Sequence, residues 1–182
     1  MAKQFATLED AHRTFIAAQH IFFVGTAAPT GRVNVSPKGM DSLRVLGPNL
    51  IRWRNLTGSG NETAGHLPLE ARMTLMWCAF DGRPMILRTY GTARIMTPTD
   101  ARWEEANAAF PSDSGARQIY DLDIDLVQSS CGFAVPLMDY VEDRQVLANW
   151  SAGQGEDGIR TYWKDRNGAT IDGFPTGIDA QT

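Results

Sequence analysis

Cysteine is scarce in this chain: only Cys78 and Cys131 occur among 182 residues. They lie far apart in apolar surroundings, which excludes a disulfide framework. Free, buried thiols of a reducing cytosol are expected instead. Histidine is equally thin. His12, His20 and His66 show no metal-ligand spacing and no neighbouring cysteine cluster, so no metal is expected. A net basic character is missing too. Seventeen Lys and Arg against 21 Asp and Glu give a formal charge of −4, which argues against nucleic acid as a main partner while leaving room for a local basic pocket. No apolar run approaches the roughly 18 residues of a membrane span, so no membrane partner is expected. Met1-Ala2-Lys3-Gln4-Phe5 runs straight into a polar helical pattern, so no signal peptide is expected and the location reads as cytoplasmic.

What remains is the composition of an ordinary globular protein, 43% hydrophobic and 21% charged. One domain is expected over the whole chain, 1–182, with a barrel over about residues 20–136 and C-terminal helices over about 137–168. Thr7 reads as the N-cap of a first helix carrying Leu8, Ala11, Phe15 and Ile16. Ile21 to Ala27 reads as a buried strand. After the turn Pro29-Thr30-Gly31, Arg32 to Ser36 reads as its hairpin partner. A third strand is expected over Leu50 to Leu56, and a short helix over Glu62 to Leu67. The runs Arg72 to Phe80 and Met85 to Ile95 are joined through Asp81-Gly82, a strong hairpin signal.

Beyond that hairpin, Thr97-Pro98-Thr99-Asp100 reads as a helix start with Pro at the first helical position. Trp103, Ala106 and Phe110 would form the apolar stripe. Tyr120 to Val127 alternates strictly, continues as strand to Val135, and carries Asp121, Asp123 and Asp125 on a face expected to be solvated. Leu137 to Arg166 reads as two helices split at Ser151 to Gly155. Successive antiparallel strands with helices between them give an α+β fold on a closed or nearly closed barrel.

The chemically informative stretch is Gly58-Ser59-Gly60-Asn61-Glu62-Thr63, between a strand and a short helix. Its glycines let backbone amides approach a ligand, the helix start offers unpaired N–H groups, and Ser59, Asn61 and Thr63 add side-chain donors. That set suits a phosphate, although a capped turn without ligand has the same composition. No Lys-Ser or Lys-Thr pair follows, which excludes a Walker-type site, and no Gly-x-Ser-x-Gly elbow surrounds Ser59. Lys38, at the end of Asn34-Val35-Ser36-Pro37-Lys38-Gly39, is a candidate cation or simply a surface lysine. Arg52 and Arg54 share one strand face near the glycine loop, as a phosphate subsite or a solvated edge would require.

In order and spacing, several of these segments resemble pyridoxamine 5′-phosphate oxidase-like proteins over nearly the whole chain. They are Phe22 to Ala27, Arg32 to Gly39, Gly58 to Thr63, Arg72 to Phe80, Leu87 to Gly91, Ser130 to Pro136 and Ile171 to Pro175. The resemblance implies a split β-barrel with flanking helices, a homodimer, and FMN held between protomers. It implies that Asn34, Val35 and Ser36 run along the isoalloxazine ring, with Lys38 at its polar edge. Trp53, Arg54 and Asn55 would lie on the second flavin-contacting strand, and Ser59, Asn61, Glu62 and Thr63 would face the ribityl phosphate. Glu62, which would repel a phosphate, is expected to meet the ribityl hydroxyls or to cap its helix.

Departures from the oxidase proper are visible. Its phosphate-binding Arg-Lys cluster is replaced by the glycine loop, Ile86 stands near the position of an expected glutamine, and its C-terminal dimerisation segment is not recognisable. The expectation is therefore a flavin-dependent oxidoreductase acting on an unidentified small molecule, not pyridoxamine 5′-phosphate oxidation. Walls of Trp77, Phe133 and Tyr140 are expected around the substrate. A non-catalytic flavin carrier or sensor, and a relative using haem or a deazaflavin, are the alternatives.

Overall fold

The structure, a computed structural model, describes residues 2–178. In chain order the elements are β1 (Lys3–Phe5), α1 (Asp10–Ala17), β2 (Phe22–Thr26), β3 (Asn34–Lys38), β4 (Leu43–Gly47) and β5 (Leu50–Leu56). They continue with α2 (Glu62–His66), β6 (Arg72–Cys78), β7 (Ile86–Met96), α3 (Trp103–Asn107), β8 (Ala116–Ser130) and α4 (Val146–Arg166). The strands form one sheet in the order β3-β2-β6-β7-β8-β5-β4, with β1 added on β8. Every pairing is antiparallel. The sheet curls into a half-barrel with helices at its flanks, the split β-barrel architecture expected.

Alternation explains the curl. Phe22, Val24 and Thr26 of β2 point inward, as do Met73, Leu75 and Trp77 of β6. These side chains meet Trp53, Tyr120 and Leu122 from β5 and β8 in one core, where the Trp53 and Tyr120 rings stack 4.5 Å apart. A smaller apolar cluster, Trp103, Ala106, Phe110 and Ile119, seats α3 against β8.

In the β7–β8 ladder the pairing slips between Tyr90 and Gly91. A Cβ at Gly91 would stand 1.9 Å from the Asp123 carbonyl oxygen, so no side chain fits unless the backbone moves. Gly91→Ala is expected to cost about 3 kcal/mol in urea unfolding. Gly25→Ala, whose Cβ would meet nothing nearer than 3.7 Å, should cost far less.

Several boundaries differ from expectation. The first helix is capped by Glu9, not Thr7: the His12 ring accepts the Glu9 N–H while the Leu8 N–H is drawn to the Pro48 carbonyl. Residues 97–102 form turns, and α3 starts only at Trp103, with Arg102 as its cap. β8 begins at Ala116 and ends at Ser130, so residues 131–135 are not strand. Helix begins at Val146 rather than Leu137, although the break falls at Gly155 (φ 65°, ψ 176°), inside the expected split. β1 and β4 had no counterpart in the sequence reading. Asp121 is buried and paired with Arg52, so the face carrying the three aspartates is not uniformly solvated. Cys78 is buried as expected, but Cys131 is exposed, and both are free.

Candidate functional site

Three elements meet at one end of the half-barrel: the edge strand β3, the end of β5, and the loop leading into α2. β3 alternates, so Asn34, Ser36 and Lys38 turn one way while Val33 and Val35 turn outward, 72% and 66% exposed. On β5, Trp53 and Asn55 share the inner face. A cleft of about 220 Å³ opens between these strands and the loop. Its walls bring together Asn34, Ser36, Lys38, Asn55, Ser59, Asn61, Glu62 and Thr63, eight of the expected site residues.

The other three do not reach it. Val35 is on the outer face of β3. Trp53 is fully buried in the core, its indole N–H directed at the Met73 sulfur, because its alternation places it inward among Phe22 and Tyr120. Arg54 sits on the opposite face of β5 and donates to Asn107 Oδ1 at 3.1 Å and the Pro111 carbonyl at 2.6 Å. Arg52 shares that face and donates to the two carboxylate oxygens of Asp121 through Nε and Nη2 at 2.7 and 2.8 Å. The arginine pair thus braces the outside of the sheet.

The guanidinium of the cleft comes instead from Arg117. The β5–β8 register pairs Asn55 with Gln118 but Leu56 with Ala116, which leaves Arg117 as the extra residue of a bulge. A bulge re-aims its side chain, and Arg117 runs beneath the glycine loop, 2% exposed. It donates to the Gly60 carbonyl at 3.0 Å, the Gly58 carbonyl at 3.4 Å, Asn167 Oδ1 at 2.7 Å and Gln118 Oε1 at 3.1 Å. All four acceptors are neutral. Burial pulls the Arg117 pKa down to about 10.

Lys38 is the second cation. Its Nζ lies 3.2 Å from Asn55 Oδ1 and 5.4 Å from the centre of the Trp53 ring. Burial, reinforced by the charge of Arg117, lowers its pKa to about 8. Among the described residues neither cation has a carboxylate partner. Glu62, the one acid of the cleft, accepts the Ile171 N–H at 3.2 Å with each carboxylate oxygen. It therefore reaches toward the C-terminal segment.

The loop is held from below. Asn167, fully buried just past α4, donates to the Gly58 and Ser59 carbonyls while accepting from Arg117. Thr57 Oγ1 donates to the Gly115 carbonyl and accepts the Trp163 indole N–H at 2.8 Å. With its carbonyls engaged, the loop leaves the N–H groups of Ser59, Gly60 and Asn61 without an acceptor among the described residues. A Cβ at Gly58 would stand in open space, so protein crowding does not demand glycine there. Behind the cleft, Asn34 Nδ2 reaches Thr26 and Thr63, and Thr26 Oγ1 lies 3.2 Å from Nδ1 of the buried His66. Asn167→Ala strips two loop carbonyls and Arg117 of a partner. It is expected to lower stability by about 2 kcal/mol in thermal or urea unfolding.

The Trp77, Phe133 and Tyr140 walls do not form around this cleft. Trp77 is a core residue, Phe133 is 82% exposed, and Tyr140 stacks on His20 with ring centres 3.6 Å apart.

The family model described as pyridoxamine 5'-phosphate oxidase matches residues 8–131, from the start of α1 to the end of β8. The chain belongs to the pyridoxamine 5'-phosphate oxidase family. A curated member, the pyridoxamine 5'-phosphate oxidase family protein ustO of Aspergillus flavus, is 35% identical over 94% of this chain and 76% of its own length. Among solved structures, HupZ of Group A Streptococcus aligns with a TM-score of 0.53 at 17% identity, over 65% of this chain and 91% of that one. A putative pyridoxamine 5'-phosphate oxidase from Lactobacillus delbrueckii aligns with a TM-score of 0.54 at 18% identity, over 68% and 94%. At that identity the structures bear on the family's split-barrel fold alone. The family match ends at Cys131, before α4 and Asn167, so the C-terminal bracing of the loop lies outside it.

Proposed function

We propose that this protein binds FMN, with the phosphate in the cleft under the glycine loop and the ring along β3, and that it acts as a flavin-dependent oxidoreductase on a small molecule. One observation carries the reading: two cations, Arg117 and Lys38, share a small cleft in which no acid neutralises either. A buried charge without a counter-ion is costly, and an anionic ligand removes that cost. The donor set fits a phosphomonoester: a guanidinium, the hydroxyls of Ser59 and Thr63, and free backbone amides. Ser59 and the loop amides would hold the phosphate over Arg117. Asn34, Ser36 and Asn55 would take the ribityl hydroxyls and the polar edge of the ring.

The flavin would supply hydride or electron transfer, and the chain would bind, orient and shield it. Lys38, at the end of β3, would offer positive charge to the ring's pyrimidine edge. A cleft of about 220 Å³ is smaller than the roughly 300–1,000 Å³ typical of cofactor sites. A second copy of the chain would complete it, and the outward Val33 and Val35 beside it offer an apolar face for that contact. Free Cys78 and Cys131 fit a reducing, cytoplasmic setting.

The first test is the absorption spectrum of freshly purified protein, with mass spectrometry of the ligand released by heat. Flavin bands and the mass of FMN are expected. A haem band, or a deazaflavin mass, would replace this reading with another cofactor. Sedimentation is expected to give a dimer at micromolar concentration. Oxidation of NAD(P)H by the loaded protein would mark an enzyme, and flavin that no donor reduces would mark a carrier.

A further inference from the structure

A larger cleft lies elsewhere. It holds about 590 Å³ between α1, the start of β2 and the turn joining β3 to β4. We propose that it binds a small organic carboxylate with an aromatic or branched apolar body, anchored by Arg13. Its inner wall is apolar, made by Ile16, Phe22, Leu43, Val45 and Trp77. Arg13 lines the cleft beside them, half-buried and without an ion-pair partner among the described residues. Its side chain makes no hydrogen bond or ion pair among the described residues, and its Nε is shut off from solvent without an acceptor. The other arginine of the cleft, Arg44, is fully engaged: it grips Asp41 at 2.6 and 2.9 Å and donates to the Ala109 and Leu43 carbonyls. Arg13 is therefore the cation left for a ligand.

The turn that shapes the cleft is strained: Met40 and Asp41 both take left-handed backbone angles, φ 59° and 51°. A non-glycine pair there holds only where the surroundings over-determine it, here through the Arg44–Asp41 clamp. The remaining acid at the cleft is Asp143, and Tyr140 stacks on His20, which lines the cleft. A planar carboxylate would take a bidentate hydrogen bond from Arg13 and lay its apolar body on the inner wall. Asp143 would oppose it in proportion to its nearness. This site shares no residue with the cleft under the glycine loop and does not depend on the flavin reading.

Calorimetric titration of the purified full chain with naphthoate, and separately with uncharged naphthalenemethanol, tests the proposal. Naphthoate is expected to bind once per chain and at least about tenfold more tightly than the alcohol. Arg13→Met should remove that preference and Arg13→Lys should restore part of it. Asp143→Asn should tighten naphthoate about threefold. Ala17→Trp, an exposed residue at the mouth, should block both probes. Lys38→Met should alter FMN binding and leave naphthoate binding as in the parent, which separates this site from the flavin cleft. Equal affinity for the two probes, an Arg13→Met variant that binds like the parent, or no binding because a second copy covers the cleft, would each overturn the proposal.

Discussion

Replacing Arg117 with methionine is expected to weaken FMN binding by about two orders of magnitude while changing riboflavin binding far less. Each charge-assisted hydrogen bond contributes about 1.5–3 kcal/mol, and Arg117 contributes in two ways. It presents the buried charge beneath the phosphate position, and it fixes the loop through the Gly58 and Gly60 carbonyls. Methionine keeps the apolar stem and volume but ends both. Riboflavin lacks the phosphate and would lose only what the displaced loop costs it. Fluorescence titration of the two ligands against both proteins reads the difference. Stability measured by urea unfolding separates the effects further. Unliganded Arg117→Met is expected to lose about 2 kcal/mol, since the Gly58 and Gly60 carbonyls, Asn167 Oδ1 and Gln118 Oε1 lose their donor, partly offset by no longer burying an uncompensated charge. A variant that simply fails to fold would show itself there.

FMN affinity is expected to fall as pH rises above about 8, by up to about tenfold per pH unit, because Lys38 titrates there. Its pKa is pulled from 10.5 to about 8 by burial and by Arg117. In the free protein the ammonium is thus half lost near pH 8, while the ligand's phosphate is already a dianion above roughly pH 7. Binding the dianion favours charged Lys38, so the complex takes up a proton, and affinity drops as protons become scarce. The same shift sets the pH dependence of folding. A lysine whose folded pKa lies below its unfolded value opposes folding below the folded pKa. That penalty is relieved between pH 8 and 10.5, so the unliganded protein should gain stability across this window. Lys38→Met should flatten both profiles. Affinity measured between pH 7 and 10 for parent and variant is the check.

The glycine loop was legible in the sequence because every signal it carries is local. Two glycines, three short polar donors and a helix start fall within six residues, Gly58 to Thr63. On β3, alternation puts Asn34, Ser36 and Lys38 together and turns Val35 away, a division that the expectation of Val35 at the site did not make. Arg117 was not legible. The alternating run that announces β8 begins at Tyr120, and a bulge just ahead of it breaks the period that would have assigned Arg117 a face. Arg52 and Arg54 misled because they lie near the loop in sequence. What claims them is distant: Asp121 is 69 residues from Arg52, and Pro111 is 57 from Arg54. Distance in sequence also hid Asn167, whose bond to the Gly58 carbonyl spans 109 residues. β4 escaped because five residues, Leu43 to Gly47, carry too few alternations to stand out beside the turn at Pro48-Asn49. Asp121 shows the converse error. Strict alternation predicted a wet face correctly for Asp125 but could not register the arginine that buries Asp121.

All of this turns on whether the cleft holds a phosphate. Calorimetry of ligand-free protein with FMN and with riboflavin, under one buffer and salt condition, asks that directly. FMN is expected to bind at least about a hundredfold more tightly, with added inorganic phosphate competing against it. Equal affinities for the two flavins, undisturbed by phosphate, would contradict it.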